Sequence, residues 1–332
     1  MSLAPVRERG SKDSKFKPLT HCWICGGNRL VPVHQGLFEF EVYSEQDPEL
    51  AEYTGERFWL NRCRECGFAQ PDVTPTLPRY FDRMYDQRWS QEWIEQEFES
   101  ECKDLIFSRV LSALSRRVNR DNHLSSNHYS LLDVGAHVGR LIYLASKAGW
   151  AAEGIELNPR TSAFAADKTG LPVHRVNAHA LVSAGRSYRA VTMLDVLEHI
   201  PDPVAVLTTL KGLLEVGGSI AVKVPSGPNQ LLKEITRSKL RKNYRVSVAD
   251  NLVHINHFSP RALKLALERA GFSNIEITVG APELSATRAS LFSRSALSNN
   301  LRLSVYHAAR LIPGGVHTPL ALNLQAYAQR IS

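Results

Sequence analysis

Between Leu131 and Arg140 the chain reads LLDVGAHVGR, an apolar strand-like run that stops at Asp133, breaks into a turn with two glycines and restarts as a helix. That layout builds a nucleotide or nucleoside pocket. Gly135 and Gly139 let a ligand approach the backbone closely, and the first free N–H groups of the following helix face whatever polar group sits there. The glycines are spaced GxxxG, so the GxGxxG fingerprint of nicotinamide and flavin sites is not met. The order of features downstream has to decide the class.

The helix expected over Arg140 to Lys147 is followed by AAEGIELNPR, a short apolar strand ending in Glu156. Glu156 lies about twenty residues beyond the glycine turn, where an acid can receive two ribose hydroxyls. In LPVHRVNAHAL a strand over Val173 to Val176 ends at Asn177 and Ala178, a polar and a small residue suited to the edge of an adenine slot. In AVTMLDVLEHIPDP a strand over Ala190 to Leu194 ends in Asp195, Glu198 and His199. The carboxyl edge of an open α/β sheet is where ligands are held.

With these motifs in this order, the stretch from about Ser130 to Ser332 resembles the class I methyltransferases that use S-adenosylmethionine. LLEVGGSIAVKVPS (Leu213 to Ser226) and HINHFSPRALKLALERAGF (His254 to Phe272) extend the likeness, the second towards the small-molecule branch. The resemblance implies an α/β fold with a Rossmann-like, seven-stranded sheet. It also implies a cofactor site drawn from Asp133, Gly135, Ala136, His137 and Gly139 in the first motif, Glu156 and Leu157 at the ribose, Asn177 and Ala178 at the adenine edge, and Asp195 with Val196 in the fourth motif. Many members carry glycine where this chain has His137. An imidazole there either adds a polar contact beside the methionine end of the cofactor or turns outward to solvent, as loop histidines commonly do.

A second signal lies near the amino end. Cys22 and Cys25 form one CxxC in HCWICGG, and Cys63 and Cys66 another in RCRECGF. Two thiolate pairs on tight turns can close a tetrahedral sulfur site for zinc. Strands expected over Leu30 to Val33, Phe38 to Val42 and Arg57 to Leu60 would form a small zinc-ribbon-like sheet. No apolar signal sequence opens the chain, so a reducing, cytoplasmic setting is expected and disulfides are disfavoured. Four sulfur ligands leave no open position, which makes such a metal structural. Cys102 stands apart, within an expected helix, and reads as a buried thiol.

At 332 residues with 43% hydrophobic content, the chain suits about two domains with a substantial core. The expected division is a polar basic tail at 1–20, a zinc-binding module at 21–79, a helical cap and linker at 80–127, and the methyltransferase domain at 128–332. No apolar run is long enough for a membrane span. Tyr80 to Asn119 reads as one or two helices with scattered aromatics, and it resembles the cap that folds over the cofactor in many such enzymes. Tyr85 is its candidate for a substrate or cofactor contact. Strands are expected over Asn274 to Val279 and Ala321 to Arg330. Between them a basic insertion at 284–319, with two expected helices and Arg288, Arg294, Arg302 and Arg310, would cover the site or form an oligomer contact.

Methyl transfer needs alignment, water exclusion and removal of the nucleophile's proton. Imidazole titrates near neutrality, so His199 is the candidate general base, with Glu198 orienting it or binding substrate hydroxyls; the alternative for His199 is a capping role. His254 and His257 are candidates for substrate binding, with a structural hydrogen bond as the other reading. A metal role for that pair is not expected, because HINHF supplies no third ligand nearby.

Methyltransferases that join a four-cysteine module to such a core resemble most those acting on sugars, sugar nucleotides, surface-glycan units or secondary metabolites. A small polyhydroxylated or glycan acceptor is therefore expected, methylated on oxygen or alternatively on carbon. The formal net charge of +7 keeps an RNA substrate open, although the excess is dispersed, with its densest run in SKLRKNYR (Ser238 to Arg245). A binding protein on a decayed methyltransferase fold is the non-enzymatic alternative.

Overall fold

The computed structural model describes residues 15–86, 89–118, 129–242, 244, 254–285 and 294–332. The amino-terminal part opens with strand β1 (Phe16–Pro18), inside the stretch expected as a tail; residues 1–14 lie outside the described residues. Next come β2 (Leu30–Leu37), helix α1 (Pro48–Ala51), β3 (Arg57–Cys63), β4 (Ala69–Pro71) and β5 (Val73–Pro75). Strands β2, β3 and β4 form an antiparallel sheet in that order, while β5 pairs with β1. The strand expected over Phe38 to Val42 is absent: the ladder ends at Leu37 opposite Arg57, Phe38 adds backbone hydrogen bonds with Glu56 and Gly55, and a 3-10 turn follows at Glu41–Tyr43. Its alternation is real but serves packing. Phe38 and Phe40 turn inward beside Phe58, with the Phe38 and Phe58 ring centroids 4.7 Å apart.

Three helices, rather than one or two, follow: α2 (Tyr80–Asp86), α3 (Gln91–Glu99) and α4 (Asp104–Val118). Ser90 starts α3 by accepting a hydrogen bond from the Trp93 amide, and the chain breaks before α4 at Glu101, whose φ is 55°. The expected linker at 121–127 falls outside the described residues.

The rest alternates strand and helix: β6 (Ser130–Val134), α5 (Arg140–Lys147), β7 (Ala151–Ile155), α6 (Pro159–Thr169), β8 (Val173–His174), α7 (Ala178–Ser183), β9 (Tyr188–Leu194), α8 (Pro203–Gly212), β10 (Leu214–Pro225) and α9 (Gly227–Leu240). It closes with α10 (Pro260–Arg269), β11 (Ser273–Val279), α11 (Arg294–Leu311) and β12 (Asn323–Gln329). The insertion expected to hold two helices has α11 and a 3-10 turn at Gly315–His317 among the described residues; Arg288 lies outside them.

Seven strands line up as β11-β12-β10-β9-β6-β7-β8, parallel except for β12, which runs antiparallel to both neighbours. From β6 the chain builds outward through β7 and β8, then crosses back to place β9 on the other side. The switch point between β6 and β9 opens a crevice at their carboxyl ends. The cysteine turns pack against this sheet: Ile24, Phe68, Cys22, Cys63 and Cys66 share one buried cluster with Phe258, Leu263 and the strands β9 and β10.

Candidate active site

A cavity of about 610 Å³ occupies that crevice, lined from the glycine turn, the ends of β7, β9 and β10, and the helical cap. The turn is fixed first. The amides of Gly135 and Ala136 both donate to the Ile155 carbonyl at 2.9 Å, and Gly135 takes a φ of 81°. A Cβ on Gly135 would sit 2.4 Å from Val196 Cγ2, so the turn closes against the fourth-motif residue only because a side chain is missing. Gly139, also at φ 81°, lies where a Cβ would be 2.9 Å from the Ala165 methyl, which lets α5 and α6 approach.

Glu156 stands on the rim. Its carboxylate accepts from the His137 amide and the Asn158 amide, each at 2.8 Å, and it lines the cavity with Leu157 beside it. Asn177 and Ala178 line the same end, although the Asn177 side chain is committed to capping α7 by accepting from the Ala180 amide at 3.0 Å. Asp133 lies at the base, where the Thr192 hydroxyl donates to it at 2.7 Å; burial pushes its carboxyl up to about 7.

His137 does not turn to solvent. Its φ of 50° aims the ring under the cap, edge-on to Trp89 and Trp93 at centroid distances of 5.4 and 5.3 Å. Burial first, and the Lys103 charge second, push its imidazole down to about 3, so it is neutral; it lines the cavity, and its buried Nε2 has no hydrogen-bond partner among the described residues.

The opposite end of the cavity gathers Asp195, Glu198, His199, His254 and Tyr85. Asp195, at φ 57°, accepts from the Lys223 ammonium at 2.5 Å; burial raises its carboxyl, but the charges of Lys223 and Lys103 outweigh that and hold it below the ordinary range. Glu198 is 1% exposed, neither oxygen has a hydrogen-bond partner among the described residues, and burial followed by the Asp195 charge drives its carboxyl well up, towards the neutral acid. The His199 ring meets Tyr85 edge-on at 5.6 Å and His254 at 4.7 Å. The His254 Nδ1 is 2.5 Å from Gln230 Nε2, and its Nε2 is 3.9 Å from Glu198.

His257 departs from expectation. It is 1% exposed, lies outside the cavity lining, and pairs through its backbone with Ala69 across two hydrogen bonds of 2.9 and 3.0 Å. Burial pushes its ring down to about 3. Donor atoms of Glu198, His199 and His254 all lie within 4.8 Å of one another, a grouping that holds one histidine of HINHF and leaves His257 out. Lys103, paired with Glu97 at 2.9 Å, and Lys223 were not foreseen. A lysine inside the apolar run SIAVKVP was the available signal for Lys223; nothing local marks Lys103.

The second cluster joins Cys22, Cys25, Cys63 and Cys66, whose sulfurs lie within 4.8 Å of one another, with two pairs at 3.5 Å. Tetrahedral zinc with ~2.3 Å bonds separates its sulfurs by about 3.8 Å, so the donor set fits that ion. The two knuckles match: Cys22 N donates to Gly27 O and Gly26 N to Cys22 O, while Cys63 N donates to Phe68 O and Gly67 N to Cys63 O. Cys102 is half-buried between α3 and α4, outside any helix and away from this cluster.

A family profile described as a methyltransferase domain matches residues 96–277, more than half of the chain. The chain therefore belongs to that family, and its strand order is the class I arrangement. Among curated relatives, a ubiquinone biosynthesis O-methyltransferase of Dinoroseobacter shibae is 29% identical over 153 residues, covering 44% of this chain and 60% of the relative. The protein of that name from Methylococcus capsulatus is 33% identical over 104 residues, covering 30% of this chain and 44% of the relative. The matches thus span less than two thirds of the relatives' length. Among solved structures, a SAM dependent methyltransferase from Archaeoglobus fulgidus aligns at a TM-score of 0.42 and 16% identity over 71% of this chain and 97% of that one. The plantazolicin methyltransferase BamL, in complex with a triazolic desmethylPZN analog and SAH, aligns at 0.47 and 16% identity over 76% and 96%. No described helix is long and apolar enough to cross a membrane.

Proposed function

We propose that this chain transfers a methyl group from S-adenosylmethionine to a hydroxyl of a small polyhydroxylated acceptor, with His199 as general base. When bound, S-adenosylmethionine supplies an electrophilic sulfonium methyl. Glu156 and the Gly135 turn would hold its nucleoside, Asn177, Ala178 and Leu157 would border its base, and the cap residues Tyr85, Trp89 and Trp93 would exclude water. The observation that carries the reading is the placement of His199 on the cavity wall, with its ring beside those of Tyr85 and His254. The acceptor hydroxyl would approach past Lys223, Pro225 and His254, and His199 would take its proton during attack. That the curated relatives are O-methyltransferases supports oxygen as the acceptor atom.

His199→Gln should lower kcat by about 10²–10⁴-fold while S-adenosylmethionine affinity, read by calorimetry, changes little. Retention of most turnover sinks the base assignment. Incubating a metabolite extract with isotope-labelled methyl donor identifies the acceptor: label on a sugar or glycan precursor oxygen supports the reading, and label on carbon or RNA replaces it. Absence of any binding in a folded preparation would leave only the scaffold alternative.

The 4.8 Å grouping of Glu198, His199 and His254 supports a second reading, in which the three hold a divalent cation that polarises the acceptor hydroxyl and His199 is a ligand. Turnover abolished by a chelator and restored by manganese, with the cysteine site still loaded, selects it. We further propose zinc at the four cysteines as a structural ion.

A further inference from the structure

The segment Asn256–Ser259 is bonded on one side to the turn that carries Glu198 and His199, and on the other side to the cysteine knuckles. On the first side, the Asn256 amide donates to the Glu198 carbonyl at 2.9 Å. Its side-chain Nδ2 donates to the carbonyls of Leu197 at 3.0 Å and Ile200 at 2.7 Å. One fully buried amide thus spans the 3-10 turn Leu197–His199 from end to end. Among the described residues no side chain caps that turn, and it follows Asp195 in a left-handed conformation.

On the other side, His257 exchanges both backbone hydrogen bonds with Ala69, directly after the second knuckle. Phe258 packs on Phe68 with ring centroids 5.0 Å apart. The Ser259 hydroxyl donates to the Cys66 carbonyl at 2.8 Å and also accepts from the Ala262 amide at 3.1 Å to start α10. Further along, Arg269 at the end of α10 donates to the Ile24 carbonyl of the first knuckle at 2.7 Å. Gly227, whose amide donates to the Phe258 carbonyl, packs against another side of the segment at a distance where even a Cβ would collide with His257.

We propose that Asn256 is a positioning residue for the turn Leu197–His199, and that the segment Asn256–Ser259 makes the geometry of that turn depend on the four-cysteine module. The inference rests on reading this turn as the reacting one. The module then does more than stabilise the fold: it fixes where the His199 ring and the Glu198 carboxyl stand relative to the acceptor. Misplacement by about 1 Å can cost as much as ~10²-fold in rate, so small shifts are sufficient.

The test uses the full-length protein with Asn256→Ala and, separately, Ser259→Ala, which leaves every contact to the Leu197–His199 turn in place. For Asn256→Ala the expected result is a kcat lowered at least about tenfold with S-adenosylmethionine affinity within about threefold, and a shifted midpoint of the His199 ring titration followed by NMR. Ser259→Ala should move the same midpoint in the same direction and lower kcat by a smaller factor, although the change lies on the module side. A folded Asn256→Ala, or should that variant not fold, a folded Ser259→Ala, with an unchanged His199 titration and unchanged kcat overturns the proposal. A moved titration in an enzyme whose His199→Gln variant still turns over would instead refute the base assignment while leaving the positioning role standing.

Discussion

Asp133 is a carboxyl with no cation within hydrogen-bond reach among the described residues, buried beneath the glycine turn and raised to about 7 by that burial. The folded chain consequently holds the Asp133 proton more tightly than the unfolded chain, whose carboxyl titrates near ~4. The stability from this group is fully present below pH ~4 and is lost as pH rises through about 7, amounting to ~4 kcal/mol between those limits. Asp133→Asn should flatten this decline; urea unfolding of the cofactor-free protein at several pH values between 4 and 8 would check it, and an unaltered slope would contradict the assignment. At this scale the sequence was informative wherever a residue's role follows from its neighbours in the chain. Glu156 and Asp195 were expected at strand ends and both stand on the cavity. His137 was not legible: a loop position favours exposure, and its ring is covered by Trp89, just before α3, and by Trp93 within it, both far away in the sequence.

Among elements, the turn between β6 and α5 is set by contact with the end of β9, on the neighbouring strand. Gly135→Ala places a Cβ 2.4 Å from Val196 Cγ2 and requires an alanine at φ 81°, and the expected cost is about 1–3 kcal/mol. Because Val196 borders the cavity, S-adenosylmethionine binding by calorimetry should weaken together with the melting temperature; a variant with unchanged affinity would show that the turn adapts without disturbing the site. Strands and helices of the sheet were largely readable, since α5 and β9 carry unbroken periodic or apolar runs. The error at Phe38 to Val42 has a definite origin. Alternating aromatics predict a strand, but backbone pairing ends at Phe38, and the rings of Phe38 and Phe40 find partners in Phe58 and Tyr80 instead of extending the ladder. A helix break at Glu101 was likewise invisible, because left-handed glutamate has no local signature.

Taken as a whole, the molecule joins its cysteine turns to the sheet through one buried cluster, so the module and the sheet share a core. Cys63→Ser should therefore abolish stoichiometric zinc, measured by elemental analysis, and lower a single cooperative melting transition. A separate early transition, with the sheet melting unchanged, would show the module to be energetically independent. The division into an amino-terminal sulfur module and a carboxyl-terminal αβ sheet could be read directly from CxxC spacing and motif order. That the two parts touch at Ala69, Phe68 and Cys66 could not.

The sequence alone determined the sheet, the crevice at its carboxyl edge, the pairing of the cysteines and most of the acids and imidazoles around the cavity, because strand-end chemistry and short-range spacing are properties of contiguous residues. Tertiary structure alone decided that His254 enters the site while His257 is buried outside it, that Lys223 and Lys103 balance Asp195, and that Asn256 clasps the turn carrying His199. These outcomes depend on contacts between groups tens of residues apart. Their distances are fixed only when the sheet, the cap and the cysteine knuckles pack together, and no local pattern of residues encodes them.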